Sequence, residues 1–311
     1  MFSTYATDYH APVLVREVLE HLHVQPSGVY VDGTLGGGGH THAILDASSP
    51  DGRVVAFDRD PQACEVAKAR LNAFGERLTV VNANYALAKD HVTQADAWLV
   101  DAGVSSHQLD DAQRGFSFRE AGPLDMRMGE GPTLAEYLSD VDEDELARVL
   151  REYGEVRSAR HLSRCILSDF ADGRFQDTRD LAAMIERVVG HGAGSGRQTK
   201  MHPATLVFQA LRIAVNDELQ GLEAAVLSIP EVVRPGGFAV FISFHSLEDR
   251  IVKNGFRALT GMHEEIPRGL PVERPEPRVE IVTRKPVTAQ EDELEFNPRA
   301  RSAKLRAVRV L

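Results

Sequence analysis

Residues 30–45 read YVDGTLGGGGHTHAIL: an apolar run, four glycines at 36–39, then a helix-like run. A tetraglycine loses backbone entropy and packs nothing, so it belongs where the backbone must turn tightly or be approached closely. A strand, a glycine loop and a helix start together make a nucleotide-binding turn. Bare N–H groups and the positive end of the helix face the ligand there. Two phosphate-binding patterns fail on inspection. A P-loop beginning at Gly33 needs Gly-Lys-Ser/Thr where Gly38-Gly39-His40 stands, so the phosphate-binding lysine is missing. A dinucleotide fingerprint on Gly36–Gly38 needs Gly or Ala where Thr41 stands.

The next strand-like piece, GRVVAFDRD, ends at Asp58. Its distance from the glycines is about the 20 residues at which an acid meets ribose hydroxyls. Asp60 beside it fits a helix N-cap instead. Asp32 and Asp101 end the strand-like runs VYVD and ADAWLVD, at the carboxyl edge where open α/β sheets take ligands. Adenosine with a cationic, non-phosphate tail satisfies both the loop and the acids. S-adenosylmethionine (SAM) is such a ligand.

Strand-like and helix-like pieces alternate through the first third, which implies a parallel sheet covered on both faces. From about Asp110 to Pro203 the pattern is helical with loops. Alternation then resumes, with one long helix over 202–229, a strand in GGFAVFISF and two final strands in RVEIVTRKPV and SAKLRAVRVL. The reading is a discontinuous α/β domain, residues 1–109 and 204–311, interrupted by an inserted all-α domain at 110–203. The stretch 191–200, HGAGSGRQTK, reads as a basic Gly/Ser linker, and 262–278 has too many prolines for regular structure.

The 311 residues carry a net charge of −11, which excludes binding of nucleic acid by bulk positive charge but not by a local basic groove. Such grooves are foreshadowed by Arg157, Arg160 and Arg164 on one helical face, by Arg197 and Lys200, and by Arg299, Arg301, Lys304, Arg306 and Arg309 near the end. The two cysteines form no CxxC or zinc spacing and fit buried thiols in a reducing cytosol. The pair His40 and His42 lacks a third ligand at suitable spacing, so no metal is expected. GVSSH has His107 where a serine-nucleophile elbow needs glycine, which argues against a hydrolase. The start of the chain lacks a signal-peptide layout and no apolar run approaches 18 residues, so no membrane and a cytoplasmic location are expected.

HAPVLVREVLEHL, YVDGTLGGGGHTHAIL, AFDRDPQA, VDAGVSSHQLDDAQRGFSF, HPATLVFQALRIAVNDEL, ISFHSLEDRIVK and NPRARSAKLRA, running in order from His10 to Arg309, together resemble the bacterial RsmH family, also called MraW. Those proteins are SAM-dependent 16S rRNA cytosine-N4 methyltransferases. The resemblance implies a class I SAM-dependent methyltransferase, Rossmann-like with a mostly parallel sheet and an inserted all-α domain. It implies cofactor contacts from Gly38, Gly39, His40, Asp58, Tyr85, Asp101 and Gln108. Tyr85 stands where the family usually has Phe, Ala102 where it has Leu, and Gly37 where some relatives carry Arg. It also implies a cytidine of the ribosomal P site as target, within the assembled small subunit. A SAM-dependent enzyme acting on another RNA or on a small molecule shares the same core.

The Asn/Asp/Ser-Pro-Pro-aromatic motif of many amino-methyltransferases is absent, because Asp101-Ala102-Gly103-Val104 occupies its place. Asp101 is therefore the candidate acceptor for the amine hydrogens, with Ser105, Ser106, His245 and Asn297 as further candidates. Arg114, Phe116, Phe118, Arg299, Arg301 and Lys304 are the candidate RNA contacts, the two phenylalanines by stacking on a flipped base.

Overall fold

The computed structural model describes Tyr5 and residues 11–190, 202–261 and 275–311. The 191–200 linker with Arg197 and Lys200, and most of the Pro-rich 262–278 stretch, lie outside the described residues. Seven strands form one sheet: β1 (Val29–Asp32), β2 (Arg53–Asp58), β3 (Leu78–Asn82), β4 (Ala95–Asp101), β5 (Val233–Ser243), β6 (Val279–Ile281) and β7 (Lys304–Val310). Their order is β3-β2-β1-β4-β5-β7-β6, with β7 antiparallel to both neighbours and parallel pairing from β3 through β5. The chain winds outward from β1 and returns on its other side at β4. The β1/β4 junction is thus the switch point at which such sheets bind ligands.

Strand side chains alternate between faces. One face buries Val31, Phe57, Trp98, Val100 and Phe241 under the helices Glu218–Val232 and Ser246–Leu259. The other buries Tyr30, Ala56, Leu99 and Ile242 under the helices Val15–Leu22, Gly39–Ala47 and Pro61–Arg70. Near-continuous apolar strands are what a sheet covered on both faces requires. Asp60 starts the helix Pro61–Arg70 as its N-cap, accepting from the Gln62 amide at 3.0 Å, with Pro61 in the first turn.

The chain divides into two compact units, Met1–Gly103 with Leu219–Leu311, and Val104–Glu218. The second unit is helical among its described residues and has its own core, including Met126, Leu146, Leu150, Leu162, Ile166, Leu181 and Ile185. The single helix read over 202–229 is two helices, Ala204–Asn216 and Glu218–Val232, broken at Asp217 in a left-handed conformation (φ 48°). Arg212 grips Glu218 across the break with two hydrogen bonds of 2.8 and 3.0 Å. The sequence pattern groups the first of these helices with the sheet domain. It packs instead into the helical unit, because Val207, Phe208 and Leu211 belong to that unit's core. Its continuous apolar pattern hid the break. No helix among the described residues is long and apolar enough to cross a membrane.

Candidate cofactor site

Three aspartates end adjacent strands: Asp32 on β1, Asp58 on β2 and Asp101 on β4. Register places Asp32 opposite Ala56 and Leu99, so Asp58 and Asp101 each lie two residues further toward the carboxyl edge. A two-residue offset keeps the same side of the pleat. All three therefore face the side covered by the helix Gly39–Ala47.

Each aspartate has a different local task. Asp32 is fully buried; its oxygens accept from the Thr34 amide at 3.0 Å and the Thr41 hydroxyl at 2.6 Å. Asp58 accepts from the Gly36 amide at 2.8 Å and the Asp60 amide at 2.9 Å, which ties the glycine loop to the end of β2. Burial raises the Asp58 carboxyl to about 6 against the pull of those two amides. Asp101 donates its backbone N–H to the Thr34 hydroxyl at 2.7 Å, but its Oδ1 is buried with no hydrogen-bond partner among the described residues. Its Oδ2 lies 3.8 Å from His40 Nδ1. Burial first, then Asp32 and Glu248, push the Asp101 carboxyl well above the usual carboxylate range.

The glycine loop is shaped by the protein as much as by any ligand. Gly36 (φ 48°) would carry a Cβ into open space, and Gly38 (φ 77°) would carry one 2.8 Å from Leu71 Cδ1. A Cβ on Gly39 would lie 2.8 Å from Pro12 Cγ. Of these three, Gly36 is the one where the absence of a side chain leaves room among the described residues for something else. Arg70 pins the loop from outside, donating to the Gly37 carbonyl at 2.6 Å and the Tyr5 carbonyl at 2.9 Å. Tyr85 follows the N-cap Asn84 beyond β3, and its Cβ would be met at 2.9 Å by a side chain on Gly33, so it flanks the loop entrance.

These residues suit a cationic adenosine ligand. Asp58 presents its carboxylate at the end of β2, beside the glycine loop. No lysine or arginine among the described residues reaches ion-pair distance of Asp32 or Asp101, although one of Asp101's oxygens is buried and unpartnered. A buried carboxylate cluster without a counter-cation is a place for a positively charged group.

Against known proteins, residues 7–311 match the MraW methylase family. The chain belongs to the MraW methylase family. Two relatives bear the name ribosomal RNA small subunit methyltransferase H. The one from Geobacter sulfurreducens is 50% identical, the match covering 97% of this chain and 99% of the relative. The one from Anaeromyxobacter sp. is 48% identical, covering 97% and 98%. The chain is accordingly a SAM-dependent methyltransferase with the class I sheet.

Other residues singled out for the family's chemistry have visible structural duties. Gln108 lies in the helical unit, where its Oε1 accepts from the Ser105 amide at 3.0 Å and its own amide donates to Ser105 Oγ at 3.2 Å. Ser105 is thus a helix cap, with Gln108 as the other half of its capping box. His245 caps the helix Ser246–Leu259 by accepting from the Glu248 amide at 3.4 Å. Its Nε2 stands 3.1 Å from Glu248 Oε1 without hydrogen-bond alignment. Asn297 caps the turn Pro298–Ser302 and donates to the Ala11 carbonyl at 3.2 Å. These caps account for His245, Ser105 and Asn297 without chemistry. His42 diverges from His40, lying between the Tyr5 and Phe74 rings and 3.5 Å from Asp46. Among the described residues no three His, Cys, Asp or Glu converge as metal ligands.

The candidate RNA contacts separate by exposure. Phe116 is a core side chain of the helical unit, 6% exposed, and cannot stack on a base from there. Phe118 is half-buried against Phe208 and His202, both with ring centroids at 4.9 Å. Arg114 lies over Phe116 at 5.8 Å and donates to the Arg127 carbonyl at 2.9 Å. The stripe of Arg157, Arg160 and Arg164 is largely neutralised: Arg160 pairs with Asp144 at 2.7 Å and Arg164 with Glu143 at 2.9 Å. Both acids lie in the first turn of the helix Glu143–Gly154, so that acidic helix start is the stripe's counter-charge. Arg306 is buried in a two-bond pair with Asp249 at 2.7 and 3.3 Å. Arg299 and Arg301 are exposed, and Lys304 pairs in register with Ser243 at the edge that carries Asp101.

Sequence reasoning missed Thr34, Thr41, Arg70 and Glu248. Thr34 and Thr41 flank the glycines in DGT and HTH, and Glu248 follows His245 by the three-residue spacing of a capping box, so a signal existed for those three. Arg70 had none, because its partners are backbone carbonyls distant in the chain.

Proposed function

We propose that this chain methylates the exocyclic N4 of a P-site cytidine in 16S rRNA of the small ribosomal subunit. The observation that carries the reading is the trio of same-face aspartates at the switch point, with Asp101 leaving an unpartnered buried oxygen, in a chain of the MraW methylase family. The names of its relatives support rRNA of the small subunit as substrate.

SAM supplies a methyl group already activated on a sulfonium, so the chain's work is orientation, electrostatics and proton removal. Gly36 and the backbone amides of the loop accommodate the cofactor, Asp58 takes the ribose hydroxyls and Tyr85 flanks the adenine. The Asp32 and Asp101 carboxylates favour its cationic end. A cytosine amine is a poor nucleophile because its lone pair is delocalised into the ring. An acceptor for its hydrogens favours a pyramidal nitrogen, and a base must finally take a proton. Asp101 at the end of β4 is that acceptor. Arg299, Arg301 and Lys304 hold RNA phosphates near the same edge. Cytoplasmic action on the assembled subunit follows from this substrate.

The test is transfer of tritiated methyl from SAM to purified small subunits and to naked rRNA, with nucleosides resolved by mass spectrometry. N4-methylated cytidine is expected in the subunit sample. Label in another nucleoside, or none in RNA, refutes the reading.

A further inference from the structure

His40 is 4% exposed, and its Nε2 lies 2.7 Å from the Val13 carbonyl oxygen. A carbonyl only accepts, so Nε2 carries the hydrogen. In the neutral ring Nδ1 is then a bare lone pair, and it faces Asp101 Oδ2 across 3.8 Å. Two acceptors facing each other in a buried site repel unless a proton lies with one of them. Among the described residues no lysine or arginine lies close enough to settle the matter otherwise. From β1 the site is faced by Asp32, and from the helix Ser246–Leu259 by Glu248, whose cap His245 is occupied with Glu248 itself. From the glycine-loop helix the titratable group at the pair is His40, while Thr41 donates its hydroxyl to Asp32.

We infer that the His40–Asp101 pair holds one proton in the cofactor-free protein and releases it when cationic SAM binds, so that Asp101 enters the reaction as the carboxylate that takes the N4 proton. The inference rests on SAM binding at these strand ends. Burial pushes the His40 imidazole down and the Asp101 carboxyl up, which places the resting proton on Asp101. A protonated Asp101 cannot act as a base, so the displacement also primes the reaction. In the transfer the carbon–sulfur bond breaks with its electron pair left on sulfur, N4 gains the methyl, and N4 loses a proton to Asp101. The positive charge on sulfur and the negative charge on Asp101 vanish together. The buried site ends with no new unpaired charge, and Asp101 returns to its resting form as the product cofactor forms.

Proton release is read directly by titrating the full-length protein with SAM in buffers of different ionisation enthalpy. The titration is run above the range in which Asp58 titrates. About one proton released per SAM is expected in the wild type and in Asp58→Asn, and almost none in Asp101→Asn. Below the pair's own titration, SAM affinity is expected to rise about tenfold per pH unit. An infrared difference spectrum of the wild type checks the same event without a variant: the protonated-carboxyl stretch is lost on SAM binding. A wild-type binding enthalpy independent of buffer, an unchanged carboxyl stretch, or full release persisting in Asp101→Asn overturns the inference. Proton release without methylated cytidine refutes the substrate reading and leaves this one standing.

Discussion

Gly39→Ala tests whether the glycine loop is shaped by packing or by the cofactor. An added Cβ would sit 2.8 Å from Pro12 Cγ and 3.0 Å from both Cβ and Cδ of the same ring. Carbon contacts relax near 3.5 Å or beyond, and a proline ring has no rotamer by which to retreat. Moving Pro12 also moves Val13, whose carbonyl holds His40 Nε2, and Leu14, whose amide donates to Glu293 at 2.6 Å. Overpacking of this kind costs about 1–3 kcal/mol. Replacing glycine by alanine within a helix returns roughly 0.5–1 kcal/mol. The net expectation is a loss of about 1–2 kcal/mol, or a fall in Tm of roughly 5 °C at 2–4 °C per kcal/mol. The double variant Pro12→Ala/Gly39→Ala removes the ring that clashes and is expected to recover most of that loss, a coupling of about 1 kcal/mol. Gly36→Ala meets nothing within 4 Å and bears only the left-handed cost, about 1–2 kcal/mol. Pro12→Ala is not expected to rescue it, and it alone weakens SAM binding directly. Differential scanning fluorimetry with and without SAM reads the wild type, the three single variants and the two double variants. Additive losses for the Pro12/Gly39 pair, or a SAM defect in Gly39→Ala at unchanged Tm, refute the packing assignment.

Further outcomes follow from the same geometry. Asp58 titrates at about 6 in the folded chain and near 3.8 unfolded, so between those values the unfolded state loses its proton first. Stability falls as pH rises through that window, by up to about 3 kcal/mol in all. Asp58→Asn is expected to flatten this part of the curve, measured by denaturant unfolding, while lowering SAM affinity. Arg299→Ala and Arg301→Ala are each expected to weaken small-subunit binding and to reduce its salt slope by about 1. Arg164→Ala, whose charge already meets Glu143, leaves that slope unchanged, because an exposed pair screened by solvent contributes little. Arg306→Met removes the nearer of two cations beside Asp249, leaving Lys304 at 3.7 Å, and is expected to cost about 2 kcal/mol in chemical denaturation.

The sequence alone determined the local and periodic features. Continuous apolar strands that end in aspartate, a glycine loop before a helix, and Asp60 beside Pro61 are short-range signals, and each appears in the fold as strand end, turn or cap. Strand parity fixes only the side of its own strand on which each aspartate lies; the parallel register of β1 with β2 and β4 is what sets Asp32, Asp58 and Asp101 on one face. The tertiary structure decided what depends on distant neighbours. The break at Asp217 is invisible in an unbroken apolar pattern, and it moved the helix Ala204–Asn216 into the helical unit. Two arginines of the 157–164 stripe looked free until the acids at 143 and 144 met them across a helix pair. Phe116 looked like a loop aromatic and proved to be core. Three of the glycines of YVDGTLGGGGHTHAIL separated in the same way: Gly39 is small because Pro12 lies on it, Gly38 because Leu71 does, and Gly36 because the space beyond it stays open. Residue type announces that a backbone will be approached closely. Only the packed chain determines what approaches it, because burial and charge pairing are set by residues that no local window contains.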